Sequence, residues 1–527
     1  MYDTIIQGGL VADGGGGTPF QADVALSGGK IAALGRDLGP ARTVISAAGR
    51  VVAPGFIDIH RHADGAVFRP DFGRLELAQG LTTIVSGNCG LSAAPIDGPY
   101  RQAVLDYLVP ITGEMGREVP TGSMGAYLAA CEHMPLHTGM LVGAGTVRAA
   151  VAGYGCTHID ASQTRAVQEK LERALSEGAL GVSLGLGYAP ECFYTTEELA
   201  AVLEVLSDRD IPVTVHMREE GDGVCEALEE MLDIAGRCRV PVHISHLKAM
   251  GRRNWEEKIP RCIQLMEQAR QAGLDVTCDV YPYTAGSTQL IHILPPDFLA
   301  GGTEAITRRL ADPEQRAILT ERIRSGGDFD NIAGMVGWEN ILCSTFSQPE
   351  NRAYQGMSIQ DIAEAQGKDP FSCAYDLLVS EHCAVTMIDF ITAESDIRRI
   401  LSLPYSAVIS DSTYPVQGRR HPRVCGTCAR ILEKYVGEGT LELGRAVAAM
   451  TAVPAGALRL RGKGRVAVGM DGDLTVFDPS AVRENGTYAH PDRLASGMDW
   501  VLVAGVPAIA RGQFTGARSG GALRRGG

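Results

Sequence analysis

The sequence predicts an α/β protein: a (β/α)8 barrel of the TIM type, a small β-sandwich formed by both termini, and an inserted subdomain after the seventh barrel strand. Three observations predict it. Short β-branched runs recur eight times through the middle of the chain: VVAPGFIDIH, LTTIVSGN, HTGMLVGAG, ALGVSLGL, IPVTVHM, VPVHISHLK, LDVTCDVYPY and YSAVISDS. Segments with helical periodicity separate several of them, and strand–helix alternation implies parallel pairing. Both chain ends have another texture, short apolar strands punctuated by glycine.

Residues 1–52 carry TIIQGGLVA, ADVALSGGKIAALG and RTVISAAGRVV, with glycine pairs at the turns. The same texture returns over 461–527 in GRVAVGMDGDLTVFD and WVLVAGVPAIARG, which suggests one sandwich from both ends. The barrel then occupies 53–287 through its seventh strand, and 346–460 complete it with the eighth. Between them, 288–345 holds PPDFLAGG and a charged helix around ADPEQRAILTERI. This reads as an insertion, and such segments often cover active sites. The tail SGGALRRGG is expected to be flexible at its end.

Three barrel helices can be argued from pattern. Residues 161–177 put Val167, Leu171, Ala174 and Leu175 on one face, and Gly178 can close the helix. Residues 196–207 follow Thr195, with Glu198 completing a capping box, and bury Leu199, Val202, Leu203 and Leu206. Residues 224–235 present Val224, Leu228, Met231 and Leu232. A doubly wound open sheet is the rival, but the GGGG near position 15 opens no helix as a dinucleotide fingerprint would.

The 527 residues exceed one small domain, and 45% hydrophobic with 21% charged residues is an ordinary globular balance. A net charge of −14 without a basic stripe argues against a nucleic-acid partner. No apolar run reaches the length of a membrane span. The start, MYDTIIQGGLVADGGGG, lacks the basic and apolar regions of a signal peptide. Thirteen scattered cysteines fit reduced thiols better than a disulfide framework. A cytoplasmic protein acting on a small molecule is the expectation.

The sharpest chemical signal is PGFIDIHRH. Strand side chains two apart share a face, so His60 and His62 point together into the barrel mouth and can chelate one metal. Two unconnected polar residues would be the plain alternative, and the other strand ends weigh against it. GNCG puts Cys89 at a turn where the backbone can expose a thiolate. TVHMR places Thr214, His216 and Arg218 on one face. In HISHLK, Ile244, His246 and Lys248 share a face, so alternation selects His246 and leaves His243 packing against the outer helices. ISDST carries Asp411 at the tip of the eighth strand. Candidate ligands thus sit at the ends of strands one, two, five, six and eight, the rim where barrel enzymes hold their sites.

Zinc favours imidazole, thiolate and carboxylate, and this set is enough for two adjacent ions bridged by the thiolate. Metal activates a water and a neighbouring carboxylate moves its proton, a role for which Asp411 is the candidate. His133, His137, His158, His292, His382 and His490 read as surface or packing residues. Cys156, Cys225, Cys238 and Cys278 lack the GNCG context. Cys425 and Cys428 form a C-x-x-C without a second pair and read as structural.

At these residues the sequence resembles the amidohydrolase superfamily and, more closely, the D-aminoacylase (N-acyl-D-amino-acid deacylase) family. The resemblance runs over nearly the whole chain. It includes PGFIDIHRHAD, GLTTIVSGNCG, HISHLKAMGRRNW, TCDVYPYTAGST, HPRVCGTCARIL, GDLTVFDP and VLVAGVP. It implies the barrel, the terminal sandwich and the insertion. It also implies His60, His62 and Asp411 around a more exposed Zn2+, His216 and His246 around a tighter one, and Cys89 reaching both. Substrate contacts implied by the resemblance are Tyr188, Lys248, Tyr281, Ser287 and Arg423. Arg423 and Lys248 would hold the substrate α-carboxylate with help from Tyr281 and Ser287, and Tyr188 would hold the acyl amide. The plain alternatives are a core tyrosine at Tyr188, an acid partner for Arg423 and a turn cap at Ser287. The reaction implied is hydrolysis of an N-acyl-D-amino acid to a carboxylic acid and a D-amino acid, with Asp411 as general base and acid. D over L selectivity rests on the resemblance alone.

Two departures stand out. Arg61 lies between the two histidines where the family commonly has a small residue; alternation points it outward, and little effect is expected. Val424, Cys425 and Cys428 replace the family's usual aromatic residues beside Arg423, which puts the side-chain preference in doubt. The runner-up activity is a hydantoinase- or dihydroorotase-like cyclic-amide hydrolase, or a dipeptide hydrolase. The cyclic-amide enzymes typically bridge their metals with a carboxylated lysine on strand four, and GVSLGLGYAP contains no lysine. A metal-free binding protein on a degenerate barrel would have lost ligands, whereas all six are present.

Overall fold

Eight short parallel strands close into a barrel in the computed structural model, which describes residues 1–116, 119–326 and 329–526. In ring order they are Phe56–Asp58, Leu81–Ser86, His137–Met140 continuing after Leu141 as Val142–Gly143, Val182–Gly185, Val213–His216, Val242–Ile244, Val276–Val280 and Ser406–Val408. Each neighbouring pair is parallel in register. The ring closes just above the eighth strand. There the Asp411 amide donates to the His60 carbonyl and the His62 amide to the Ser412 carbonyl, both at 2.9 Å, beside a parallel Arg61–Ser412 bridge.

Alternation along the strands sorts the side chains into two cores. Val182, Leu184, Val213, Val215, Val242 and Ile244 join one apolar cluster with the helix residues Leu171, Val202, Met231 and Ile259. Ile57, Val85, Leu141, Leu180, Ala407 and Ile409 fill the barrel interior. Full burial of each such side chain stabilises the fold by about 1.5–3 kcal/mol.

The three argued helices are present. Ala161–Ser176 is capped by Asp160, whose carboxylate accepts the amides of Ser162 and Gln163. Thr196–Leu203 has the Thr195–Glu198 capping box and tightens into a 3-10 turn over Glu204–Leu206. Val224–Cys238 runs three residues past the expected end, because Ala235 and Cys238 extend its buried face, and Arg239 ends it with a φ of 48°.

The run VVAPGFIDIH is two strands in two sheets. Val51–Pro54 pairs with Leu474–Phe477 and Tyr2–Val11 in a nine-stranded sheet drawn from both chain ends, while Phe56–Asp58 starts the barrel. The break falls at Gly55, where a Cβ would stand 2.1 Å from the Thr82 hydroxyl. Between the seventh and eighth barrel strands, Ala285–Gln289, Ile341–Thr345 and Thr386–Phe390 form an antiparallel sheet. Because Ile341–Thr345 pairs with Thr386–Phe390, a limit at 345 cuts through that sheet.

The C-terminal tail is docked as far as Arg525, so any flexibility is confined to its extreme end. The Met134 and Thr138 amides donate to the carbonyls of Gly520 and Gly521, and the Leu523 amide donates to the Thr138 carbonyl. Its last residue, Gly527, lies outside the described residues. Among the described residues, no helix is long and apolar enough to cross a membrane.

Candidate metal centre and active site

The predicted ligands converge at the C-terminal mouth of the barrel. Cys89 Sγ stands 3.2 Å from His60 Nε2 and 3.5 Å from His246 Nε2. His216 Nδ1 is 3.0 Å from His246 Nε2. Asp411 Oδ1 lies 3.5 Å from His60 Nε2 and 3.3 Å from His62 Nε2. Two triads result, His60–His62–Cys89 and Cys89–His216–His246, and within each the donor atoms lie within 4.8 Å of one another. The thiol belongs to both.

Three of these residues leave their strands in the left-handed region, Cys89 at φ 53°, His246 at 35° and Asp411 at 49°. For non-glycine residues this conformation is uncommon and is held only where the surroundings enforce it. It corrects the alternation argument at strand six. Ile244 packs outward with the helices, so His243 is the inward residue, with Nε2 2.8 Å from Asp279 Oδ2 and Nδ1 2.7 Å from Thr277 Oγ1. The strand ends at Ile244, and the left-handed turn at His246 swings its imidazole into the mouth. Alternation therefore picks the histidine that faces the mouth, but for a reason the backbone does not bear out, and His243 does not pack on the outer helices.

Electrostatics favour ionised donors. Burial pushes the Cys89 thiol up, but the positive charge of His60 and hydrogen bonds with His216 and His246 outweigh it and hold the thiol well below its usual value, a role that a metal cation would take over from the protons on these imidazoles. Burial likewise opposes ionisation of Asp411, and Arg423 with His62 and His60 holds it well below the carboxylate range. A shared thiolate, four imidazoles and a carboxylate are a donor set that suits zinc.

Two residues that the motifs did not flag brace this centre. Asp279 on the seventh strand faces His60 Nδ1 at 3.4 Å, faces His243, and accepts the backbone amide of His246. Glu220 lies 2.9 Å from His246 Nδ1 and 2.6 Å from Lys248 Nζ. Asp279 stands in TCDVYPY between two inward positions, so alternation from Thr277 could have found it. Glu220 follows the fifth strand in a loop and leaves no periodic signal.

A cleft opens beside the triads and is lined by Tyr188, Lys248, Tyr281, Ser287 and Asp411 among others. Tyr188 packs at a tilt against His216, 4.3 Å between ring centroids, and against His292 at 4.4 Å. His292 therefore lines the cleft instead of the surface, and burial lowers its pKa to about 3. Arg423 is fully buried: Nη1 pairs with Asp411 Oδ2 at 3.0 Å, Nη2 donates to the Ser287 carbonyl at 3.1 Å, and the guanidinium lies 4.8 Å over the Tyr281 ring. Its Nε has no hydrogen-bond acceptor among the described residues. His421 accepts the Arg423 amide and fixes the start of the helix Arg423–Arg430.

His133, His158, His382 and His490 are exposed, as expected. His137 is not a simple packing residue: its Nε2 lies 3.1 Å from Asp473 Oδ1 of the terminal sheet region. All thirteen cysteines are free thiols, and Cys425 donates to the Pro491 carbonyl.

An amidohydrolase family model matches residues 51–254, and a second amidohydrolase family model matches residues 355–509. D-aminoacylase from Alcaligenes xylosoxydans xylosoxydans is 33% identical, covering 99% of this chain and 98% of that protein. N-acyl-D-glutamate deacylase of the same organism is 34% identical over 95% of this chain and 93% of its own. The crystal structure of N-acyl-D-glutamate deacylase from Bordetella bronchiseptica, complexed with zinc and a phosphonate mimic of the tetrahedral intermediate, superposes with a TM-score of 0.83. It is 30% identical and covers 99% of both chains.

Proposed function

This chain belongs to the D-aminoacylase family of amidohydrolases, and on that premise we propose that it hydrolyses N-acyl-D-amino acids to a carboxylic acid and a free D-amino acid with zinc as cofactor. The observation that carries the reading is the Cys89 thiol shared by two histidine pairs, with Asp411 Oδ1 beside His60 and His62 at the edge of the cleft. His60, His62 and Asp411 would hold one ion and His216 and His246 the other, with Cys89 common to both. When bound, zinc supplies Lewis acidity toward the acyl carbonyl and lowers the pKa of water.

The chain's own residues do the rest. Asp411 takes the proton of the attacking water and delivers it to the amide nitrogen as the carbon–nitrogen bond breaks. Arg423 and Lys248 hold the α-carboxylate, where the free Nε of Arg423 offers an unused donor. Tyr281 and Ser287 flank that clamp, and Tyr188 holds the acyl amide. The cyclic-amide alternative lacks support, since the fourth strand, VSLG, carries no lysine to bridge two metals.

The zinc-loaded protein is expected to release amine from N-acetyl-D-amino acids, and Asp411→Asn to lose about 10^2–10^4-fold in kcat. Undiminished turnover by that variant removes Asp411 from the proton transfer.

The same reading divides the chain into a small β-sandwich of 1–52 with 461–527, a barrel of 53–287 with 346–460, and an insertion at 288–345. The strand pairings described above support moving the first limit to Pro54 and the insertion's end beyond Phe390. Limited proteolysis tests this, with first cuts expected between these units and not within the barrel. The free thiols support a cytoplasmic location, which cell fractionation tests.

A further inference from the structure

The cleft carries more carboxyl groups than deacylation requires. Besides Asp411, its wall includes Glu219, Glu220, Asp330 and Asp389. Its cations are already committed: Arg423 and Lys248 to the α-carboxylate in the reading above, with Lys248 also 2.6 Å from Glu220, and Arg218 to Glu230 through two nitrogens at 3.0 Å. Among the described residues, Glu219, Asp330 and Asp389 have no ion-pair partner. Asp330 accepts the backbone amides of Glu220 and Gly221 and thereby fixes that loop.

Asp389 is different. It stands on the insertion strand Thr386–Phe390, is 1% exposed, lines the cleft, and its Oδ1 accepts no hydrogen bond from any described residue. An unpartnered buried carboxyl is costly, and a native structure retains one where a ligand or ion supplies the partner. Burial raises its pKa to about 6, against the pull of Lys248 and Arg423, and a cation placed beside it favours the ionised form. Apolar side chains lie along the same wall, including Met250, Leu294, Leu299, Phe329, Ile332 and Ile391. They suit methylenes, not a second carboxylate.

Resting on the deacylase reading above, we propose that this cleft selects N-acyl amino acids with a cationic side chain, an amine or guanidinium of the lysine, ornithine or arginine class, and that Asp389 accepts its charge. The aliphatic stem lies against the apolar wall while the head reaches Asp389, with Glu219 on the same wall. An acidic side chain meets these carboxylates and no free cation.

The test measures amine release by zinc-loaded protein from Nα-acetyl-D-lysine, Nα-acetyl-D-arginine, N-acetyl-D-leucine and N-acetyl-D-glutamate. Expected is a kcat/KM for the two basic substrates about tenfold or more above leucine and further above glutamate, a difference of one charge-assisted contact. Asp389→Asn is expected to lower the lysine-to-leucine ratio about tenfold, chiefly through KM. Leucine or glutamate ranking first overturns the proposal, as does a variant that lowers lysine and leucine alike. The ranking in the parent protein decides the matter even if the variant fails to fold. Turnover of none of the four overturns the deacylase reading itself.

Discussion

Arg61 Nη2 donates to the carbonyl of Val424, the residue after Arg423, at 3.0 Å. Standing in sequence between His60 and His62, Arg61 thus ties the first barrel strand to the helix that begins with Arg423, the arginine proposed to bind the substrate carboxylate. It is wholly buried and also pairs with Asp58 and Glu76, each at 3.0 Å, and with the Tyr414 hydroxyl. The residue does face away from the metal ligands, as alternation requires. The expectation of little effect from this departure does not survive its burial.

Replacing Arg61 by methionine leaves two buried carboxylates without their cation, which costs about 3–5 kcal/mol. Thermal denaturation of the metal-loaded protein is expected to show a large drop in midpoint for Arg61→Met. A midpoint within a degree or so of the parent contradicts the role given to this network.

Metal retention separates the thiol from its neighbours. Cys89→Ala is expected to lose zinc on dialysis that the parent retains, because both triads lose a donor. Asp279→Asn, which keeps every ligand but weakens the support of His60 and His246, is expected to lower zinc affinity roughly 10–100-fold. Competition with a chelator reads both, and unchanged zinc content in Cys89→Ala contradicts the shared site.

Arg423→Lys keeps the charge but loses the fork and the stacking over Tyr281. Its KM for an N-acetyl amino acid is expected to rise about tenfold or more. A simple N-acetyl amine without a carboxylate should show no such rise. Equal effects on both substrates assign Arg423 to structure alone.

Asp473 joins the terminal sheet to the barrel. Burial raises its pKa, but the His137 imidazole and Lys463, at 3.1 and 2.5 Å, outweigh this and hold it well below the usual value. A depressed carboxyl contributes stability that is full above its unfolded pKa near 3.8 and is lost as pH falls through the folded value. Asp473→Asn is therefore expected to be less stable than the parent by about 2 kcal/mol at neutral pH. The gap should narrow as pH drops below about 4. A gap independent of pH contradicts the ionic link.

The barrel is readable in the sequence because period-two strands and capped helices are local signals. Thr195 with Glu198, and the valines of the fourth and fifth strands, need no long-range information. What escapes depends on backbone departures from those periods. Gly55 breaks one apolar run into two sheets, and the left-handed turn at His246 inverts the face that alternation assigns. Glu220, Asp389 and the buried partners of Arg61 are brought to the site from loops, the insertion and a distant helix. No spacing in the sequence encodes those approaches.

Amine release from matched N-acetyl-D- and N-acetyl-L-amino acids, measured with zinc-loaded protein and Cys89→Ala as control, decides whether the shared-thiol site is a D-selective deacylase. Release is expected from the D series, little from the L series, and none from the control. Release from neither series by protein with zinc demonstrably bound would contradict that assignment and redirect the search to cyclic amides and dipeptides.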